Sequence, residues 1–395
     1  MDKSMKILYD HQIFYRQNYG GVSRYFCELM NQFSRDPDLS FTLSLRYVQN
    51  DNLSQFPQLN KYWSKRINYL YNNQFISSVQ KKIRFNALNF GLNYVINNQG
   101  ESVRLLKKQD FDLFHPTYYE PYFLKYLEKK PYVLTVYDMI HELFPGYFKT
   151  DDQTRVWKKN LIENAGVIIA ISENTKKDII KFTEVDPNRV QVIHLGNPFE
   201  YFNELPQIDT SLDPPVFEKS YLLFVGGRPD YKNFNFFIES VAEILRKNEG
   251  LQIVCAGSSP FTPKEKNFLK NMNILDKVHY VKINDRILKN LYKNARAFIF
   301  PSIYEGFGLP VLEAFSCGCP VILSNSSSLP EIGGDGAIYF EPGNKESFIG
   351  AVERVIYDKK YREDLIEKGS ERLKFFSWEK NAHSTKKIYE NLLHQ

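Results

Sequence analysis

The residues best suited to chemistry are concentrated in Pro301-Ser-Ile-Tyr-Glu-Gly-Phe-Gly-Leu-Pro-Val-Leu-Glu313. An apolar run, Ala297–Phe300, leads into this string as a strand. Pro310 then falls at a first helical turn, where its missing N–H is not needed. The helix should run through Ala314 and Phe315 and stop near Gly318, with Pro320 opening the next strand. Gly306 and Gly308 let backbone approach a ligand closely. Unpaired amides at a helix start attract an anion such as a diphosphate. Glu305 in the loop and Glu313 one turn into the helix can face one pocket. Carboxylates there accept hydrogen bonds from the vicinal hydroxyls of a sugar or a ribose. The plainer reading is a structural loop with a capping glutamate.

A second constellation is Phe224-Val-Gly-Gly-Arg-Pro-Asp-Tyr-Lys-Asn233, with Gly227 in its turn. Asn233 is placed to cap a helix whose apolar residues are Phe234, Phe237, Ile238, Val241 and Leu245. Arg228 and Lys232 would project from the loop towards the same anion, and preorganised cations stabilise a departing diphosphate. Arg binds phosphate bidentately, whereas Lys acts as a point charge. The spacing is not that of a Walker loop. Three weaker signals lie earlier in the chain. Gly20-Gly21 between a strand and a helix can bring amides near a phosphate. Asp138 and His141 sit beyond the strand Val133-Leu-Thr-Val-Tyr-Asp138, and His115 follows the strand 111–114. Each histidine also reads as a structural one.

The elements that must position these residues form two series. Short apolar runs alternate with helix-period segments, the signature of βα units and a parallel sheet. Strands are expected at Met5–Tyr9, 111–114, 132–136, 167–171 and 190–195. After Gly21, apolar residues at Val22, Tyr25, Phe26, Leu29, Met30 and Phe33 mark one helix face. Ser172 is a plausible N-cap for a later helix. From Gly196 to about Ser220 the period is lost and Pro198, Pro206, Pro214 and Pro215 accumulate, which suggests a linker. A second series follows at 221–225, 251–256, 278–281, Ala297–Phe300 and 321–323, and residues 378–395 read as a separate amphipathic helix. The expected architecture is α/β, with two Rossmann-like domains whose parallel sheets face each other across a cleft. Residues 1–198 would form the first domain, 199–219 a linker and 220–377 the second. Ligands of such sheets bind at the C-terminal strand ends.

Composition narrows the classes. The chain has 395 residues, more than one core usually organises, with a net charge of only +5, too little to argue for nucleic acid. Its 26 Tyr and 31 Phe suit stacking on sugars or bases, but they suit an aromatic core equally. Between Lys61 and Lys108 Glu101 is the only acid among nine basic residues, with Tyr62, Trp63, Tyr69, Tyr71 and Phe75 interleaved. This stretch could meet anionic headgroups or a phosphorylated acceptor, or could be a solvated helical face. Cys27, Cys255, Cys317 and Cys319 are too few for a disulfide scaffold and lack zinc spacing, so they read as small apolar fillers. No signal-peptide core opens the chain and no run approaches the roughly 18 apolar residues that span a bilayer. A cytoplasmic protein is expected, attached at most peripherally to the inner face of a membrane.

With these motifs the chain resembles the retaining, family-4 glycosyltransferases of the GT-B fold (glycosyl transferases group 1). Glu305-Gly-Phe-Gly-Leu-Pro-Val-Leu-Glu313 is similar to that family's Glu-x7-Glu element, and Ser-Ser-Leu-Pro-Glu331 follows in kind. Supporting stretches are Tyr19–Phe26, 168–173, the Lys232-Asn233 pair and 376–380 before the last helix. The resemblance implies that Lys232, with Arg228 nearby, binds the donor diphosphate and assists its departure. It further implies that Glu305 and the amides of Gly306, Phe307 and Gly308 hold the transferred sugar, and that Glu313 binds the ribose. Gly21, Gly227 and Leu309 complete the donor-binding candidates. The catalytic candidates are Lys232, Arg228 and Glu305, and the acceptor-side candidates are Asp138, His141 and His115. The first domain would bind the acceptor and the final helix would pack back upon it.

No metal or other cofactor is expected. The partners implied are a GDP- or UDP-linked sugar and a saccharide or lipid-linked acceptor, in cell-surface polysaccharide or O-antigen assembly. Two departures stand out. The family's common His-Asp is Tyr137-Asp138 here, and the basic pair is Arg-x3-Lys, one residue tighter than the common Arg-x4-Lys. The alternatives are a nucleotide-sugar 2-epimerase of the same fold and a non-catalytic sugar-binding protein. A dehydrogenase is disfavoured because neither half carries G-x-G-x-x-G after its first strand.

Overall fold

A computed structural model describes residues 4–46, 50–63, 98–200, 217–257 and 259–394. Most of the basic aromatic stretch and residues 201–216 of the expected linker lie outside them. The first half contributes β1 (Met5–Tyr9), β2 (Leu39–Leu43), β3 (Leu113–His115), β4 (Val133–Val136), β5 (Val167–Ala170) and β6 (Val190–Val192). Two parallel three-stranded sheets result, in the orders β2-β1-β3 and β4-β5-β6. An isolated parallel bridge between Phe114 and Tyr132 joins them. The second half contributes β7 (Ser220–Val225), β8 (Leu251–Gly257), β9 (Val278–Lys282), β10 (Ala297–Phe300), β11 (Val321–Ser324) and β12 (Ala337–Phe340). These form one parallel sheet in the order β12-β11-β10-β7-β8-β9. Its first three strands run outward in one direction and its last three in the other, so the order reverses between β7 and β10. Ligands of doubly wound sheets collect at such a reversal.

The helices that frame the site are α1 (Gly21–Phe33), α2 (Glu173–Phe182), α3 (Phe234–Lys247), α4 (Asp285–Asn294), α5 (Leu309–Ser316), α6 (Leu329–Gly333) and α7 (Trp378–Leu393). Their starts follow local chemistry. The Ser172 side chain accepts from Thr175 N and caps α2. Pro310 lies in the first turn of α5, and Gly308 before it has φ +116°, a conformation that glycine adopts without a Cβ clash. Asn233 does precede α3, but it is left-handed and its side chain makes no capping hydrogen bond. Strands β2 and β12, absent from the sequence-based expectation, are edge strands. In β2 burial alternates along Leu-Ser-Phe-Thr-Leu, so no continuous apolar run marks it.

Helix α7 packs on the first half. Trp378 is fully buried, and its indole N–H donates to Asn197 O at 2.9 Å. Asn381 donates to His194 O at 2.8 Å. Near the far end, the Tyr389 hydroxyl lies 3.0 Å from that of Tyr9 and 2.6 Å from His115 Nδ1. Cys27, Cys255 and Cys319 are buried free thiols and Cys317 is partly buried. Among the described residues no helix is long and apolar enough to cross a membrane, and no group of three or more His, Cys, Asp or Glu is arranged to hold a metal ion. Replacing Trp378 with Ala should cost about 3–5 kcal/mol of stability, the usual range for a buried large aromatic. Urea denaturation of the whole chain measures it.

Candidate active site

The loops after β7 and β10 are neighbours because these strands pair, Ala297 with Leu222 and Phe298 with Leu223. Lys232, in the single 3-10 turn Asp230–Lys232 before α3, and Glu305, in the loop before α5, therefore meet. Lys232 Nζ lies 2.5 Å from Glu305 Oε1, with both side chains mostly buried. The ammonium also sits 5.0 Å from the Phe300 ring and 5.4 Å from that of Tyr231. Ile303 N donates to Tyr231 O at 2.8 Å, tying the two loops together. Burial raises the Tyr231 phenol, and the carboxylates of Glu305 and Asp138 add to the effect, so residues from both halves face it. Among the described residues no protein group accepts from the amides of Gly306, Phe307 or Gly308. Three amides without a protein acceptor thus lead into a helix start beside a cation.

Glu313 occupies a neighbouring position on α5. Its Oε2 accepts from the Tyr292 hydroxyl at 3.0 Å, and burial pushes its carboxyl up to about 7. Arg228 goes elsewhere, which corrects the expectation that it shares one anion with Lys232. Its Nε donates to Glu265 at 2.5 Å, and Nη2 to the carbonyls of Ser259 and Pro260, both at 3.0 Å. The guanidinium stacks over Phe261 at 4.8 Å. Four better partners outcompete an open position over the cleft. Gly227 remains in the turn before it, and a Cβ there would meet only Pro229 Cδ at 3.5 Å.

The first half closes against this site. A Cβ on Gly306 would lie 1.7 Å from Tyr137 O and 3.1 Å from Asp138 Cβ. The missing side chain of Gly306 thus serves contact with the opposite half as well as any ligand. The Tyr304 hydroxyl spans the same boundary, accepting from Met139 N at 3.1 Å and donating to Asp178 at 2.8 Å. Gly21 stands against Leu309, 3.0 Å from a built Cβ to Cδ1, so the two turns meet at the start of α5. Of the acceptor-side candidates, Asp138 is brought to the loop before α5. Its Oδ1 accepts from Ile140 N at 3.1 Å, and its side chain stays 36% exposed.

Of the two histidines, His115 is a correction, and His141 has partners of its own in the first half. His115 is the last residue of β3 and fully buried, with Nε2 2.9 Å from Thr135 Oγ1 and Nδ1 on Tyr389. Burial lowers it to about 3, so it is a neutral structural link with no face for an acceptor. His141 stacks on Phe148 at 3.8 Å with Nε2 3.7 Å from Asp152. Tyr137 is also turned inward, its hydroxyl 3.4 Å from Thr117 O.

Two clusters were not announced as clusters by the sequence, although Tyr19 and Arg24 lie in the stretch Tyr19–Phe26. Lys158 is fully buried, and its Nζ donates to Asp138 O at 2.9 Å and pairs with Glu142 at 2.8 Å. Across the halves, Arg24 of α1 pairs with Asp285 at the start of α4 and donates to Pro198 O at 2.9 Å. The Tyr19 hydroxyl joins Asp285 at 2.7 Å. Burial pushes Glu28 up to about 8 although Arg24 is 3.6 Å away. Arg24 and Asp285 are far apart in the chain, so no spacing could have announced the pair.

Two Rossmann-like halves facing one another, with a cationic loop and an acidic loop at a single reversal of strand order, define a GT-B glycosyltransferase. The chain belongs to the glycosyltransferase group 1/family 4 family. The family described as "Glycosyl transferases group 1" matches residues 214–372, and "Glycosyltransferase Family 4" matches residues 19–198. The chain is similar to the O-antigen chain mannosyltransferase B of Escherichia coli, 27% identical over 72% of this chain and 75% of that protein. It is also similar to the O-antigen chain mannosyltransferase RfbU of Salmonella typhimurium, 28% identical over 56% of this chain and 60% of that protein. In fold it matches a glycosyltransferase from Rickettsia africae, with a TM-score of 0.66 at 17% identity over 100% of this chain and 99% of the other. An Anabaena protein solved with UDP and glucose also gives 0.66, at 14% identity over 98% of this chain and 100% of the other.

The raised Glu313 carboxyl has a testable sign. A group protonated more readily in the folded state contributes stability that is fully present below the unfolded value of 4.5 and lost as pH rises through about 7. The stability of the parent relative to Glu313→Gln should therefore fall between pH 5 and pH 8. Paired urea titrations across that window check it, and a constant difference would contradict the burial argument.

Proposed function

We propose that the chain transfers a hexose from a nucleoside-diphosphate sugar to a saccharide or lipid-linked acceptor, with retention of anomeric configuration, in cell-surface polysaccharide assembly. The observation that carries this reading is the meeting of Lys232, Glu305 and the unpaired amides of residues 306–308 at the strand-order reversal. The O-antigen mannosyltransferases among its relatives support mannose as the sugar and O-antigen-type glycans as the product. The Anabaena structure was solved with UDP and glucose, so UDP- and GDP-linked sugars both enter the test.

In this reading the diphosphate lies over the α5 amides and beside Lys232. Glu305, freed from part of its ion pair, takes the sugar hydroxyls, and Glu313 takes the ribose. The bond from C1 to the diphosphate oxygen breaks as the acceptor oxygen arrives on the same face. The acceptor proton passes to the departing oxygen. A side-chain cation and helix amides bear the developing charge, so the reaction proceeds without a bound metal. Arg228, held by Glu265, stiffens the loop that carries Lys232. The acceptor enters from the first half, past Asp138, at the cytoplasmic face of a membrane where its lipid carrier resides.

Nucleotide sugars linked to UDP and GDP, assayed with candidate acceptors in the presence of a chelator, provide the test. One of them should yield product only when acceptor is added; conversion of the donor sugar without acceptor would favour an epimerase. Lys232→Ala should lower turnover by about 10²–10³, the scale of losing one charge-stabilising donor. Unchanged turnover would remove Lys232 from this role. NMR of the purified product should give the same anomeric configuration as the donor, and inversion would overturn the same-face mechanism.

A further inference from the structure

The contacts between α2 of the first half and the donor loop of the second run in both directions. Ser172 Oγ donates to Gly306 O at 2.7 Å, and Thr175 Oγ1 donates to the same carbonyl at 3.1 Å. Both hydroxyl side chains are fully buried. One carbonyl has two lone pairs, so a pair of hydroxyl protons satisfies it completely. In return, the carboxylate of Glu331 on α6 accepts from the first amides of α2, Glu173 N at 2.8 Å and Asn174 N at 3.2 Å. His194 Nε2 lies 2.7 Å from the same carboxylate. Burial works to raise the Glu331 carboxyl, but these hydrogen bonds prevail and hold it below the usual value. One helix start thus donates protons to the donor loop and receives a charge from the helix that follows it.

The pinned carbonyl has a consequence for the neighbouring amide. The Gly306–Phe307 peptide is trans, so its C=O and N–H point in opposite directions. Fixing Gly306 O on the first half therefore turns Phe307 N–H back towards the second, and among the described residues no protein group accepts it.

We propose that Ser172 and Thr175 are positioning residues for transfer: closing the halves sets their hydroxyls on Gly306 O, which aims the Phe307 amide at the donor. This rests on the donor reading of the 305–313 loop. Because both hydroxyls belong to the opposite half, the amide is aligned only when the halves are closed. A donor bound to the second half alone meets an unaligned loop. The Phe307 amide faces the transferred sugar while the diphosphate lies over α5 and beside Lys232, so the clamp acts on turnover and leaves nucleoside diphosphate affinity almost untouched.

Three substitutions separate this role from helix capping. Thr175→Val keeps the shape and the cap but removes one donor. Ser172→Asp still accepts from Thr175 N but offers the Gly306 carbonyl no proton. Ser172→Asn keeps the capping acceptor and restores an N–H donor. For the parent, binding of UDP and GDP is measured by calorimetry, and turnover by nucleoside diphosphate release from whichever nucleotide sugar it uses. Thr175→Val and Ser172→Asp should each lower kcat by about tenfold, the scale of one buried hydrogen bond. The Kd of the nucleoside diphosphate should stay close to the parent value in both, the melting temperature should stay close to the parent value in Thr175→Val, and Ser172→Asn should recover most of the rate. Parental kcat in both variants overturns the proposal, as does a parallel loss of nucleotide affinity and melting temperature in Thr175→Val. If the parent binds neither UDP nor GDP, the donor reading fails first and the clamp fails with it.

Discussion

Everything at the site depends on the parallel pairing of β7 with β10, strands separated in the chain by two complete βα units. That pairing reverses the strand order and leaves a crevice at the C-terminal ends. Two loops, each ending at a helix start, must then share it. Without this adjacency Lys232 and Glu305 would lie in unrelated turns. With it they form a short ion pair backed by Phe300 and Tyr231. The charges are mutually compensated before any ligand arrives, which limits the cost of burying either one.

The second constraint is the way the halves hold each other. Beside apolar packing that runs through both halves, a set of specific polar exchanges joins them: Arg24 and Tyr19 with Asp285, Tyr304 with Met139 and Asp178, and Glu331 with the start of α2. Buried polar groups are expensive unless paired, so each exchange favours one relative placement over neighbouring ones. Gly306 shows how tight that placement is, since any side chain there would collide with Tyr137 O. Helix α7 adds a covalent return from the second half to the first, anchored by Trp378 at one end and Tyr389 at the other.

Charge in the site is tuned by burial more than by neighbouring charges. Glu313 and Glu28 are both pushed towards neutrality by desolvation, which the Tyr292 hydroxyl and then Arg24 offset only in part at Glu313, and Arg24 only in part at Glu28. Glu331 shows the opposite balance, because two backbone amides and a histidine supply the hydrogen bonds that a carboxylate needs. Similar carboxyls thus take on different protonation behaviour according to how many donors each receives.

What the amino-acid order settled was local: strand cores from apolar runs, the Ser172 cap, the proline in the first turn of α5, the glycine turns, and the Glu-x7-Glu string that marks the family. Each is written in residues a few positions apart, where steric and hydrogen-bonding rules act directly. Edge strand β2 escaped because its buried residues alternate with exposed ones, whereas β12 is a run of four apolar residues too short to separate from a helix segment by periodicity. The direction of Arg228, the burial of His115, the Arg24–Asp285 pair and the hydroxyl clamp on Gly306 were decided only by tertiary structure. Each depends on partners brought together from distant parts of the chain, and a side chain turns to whichever partner the packed fold presents, a choice that no spacing along the chain encodes.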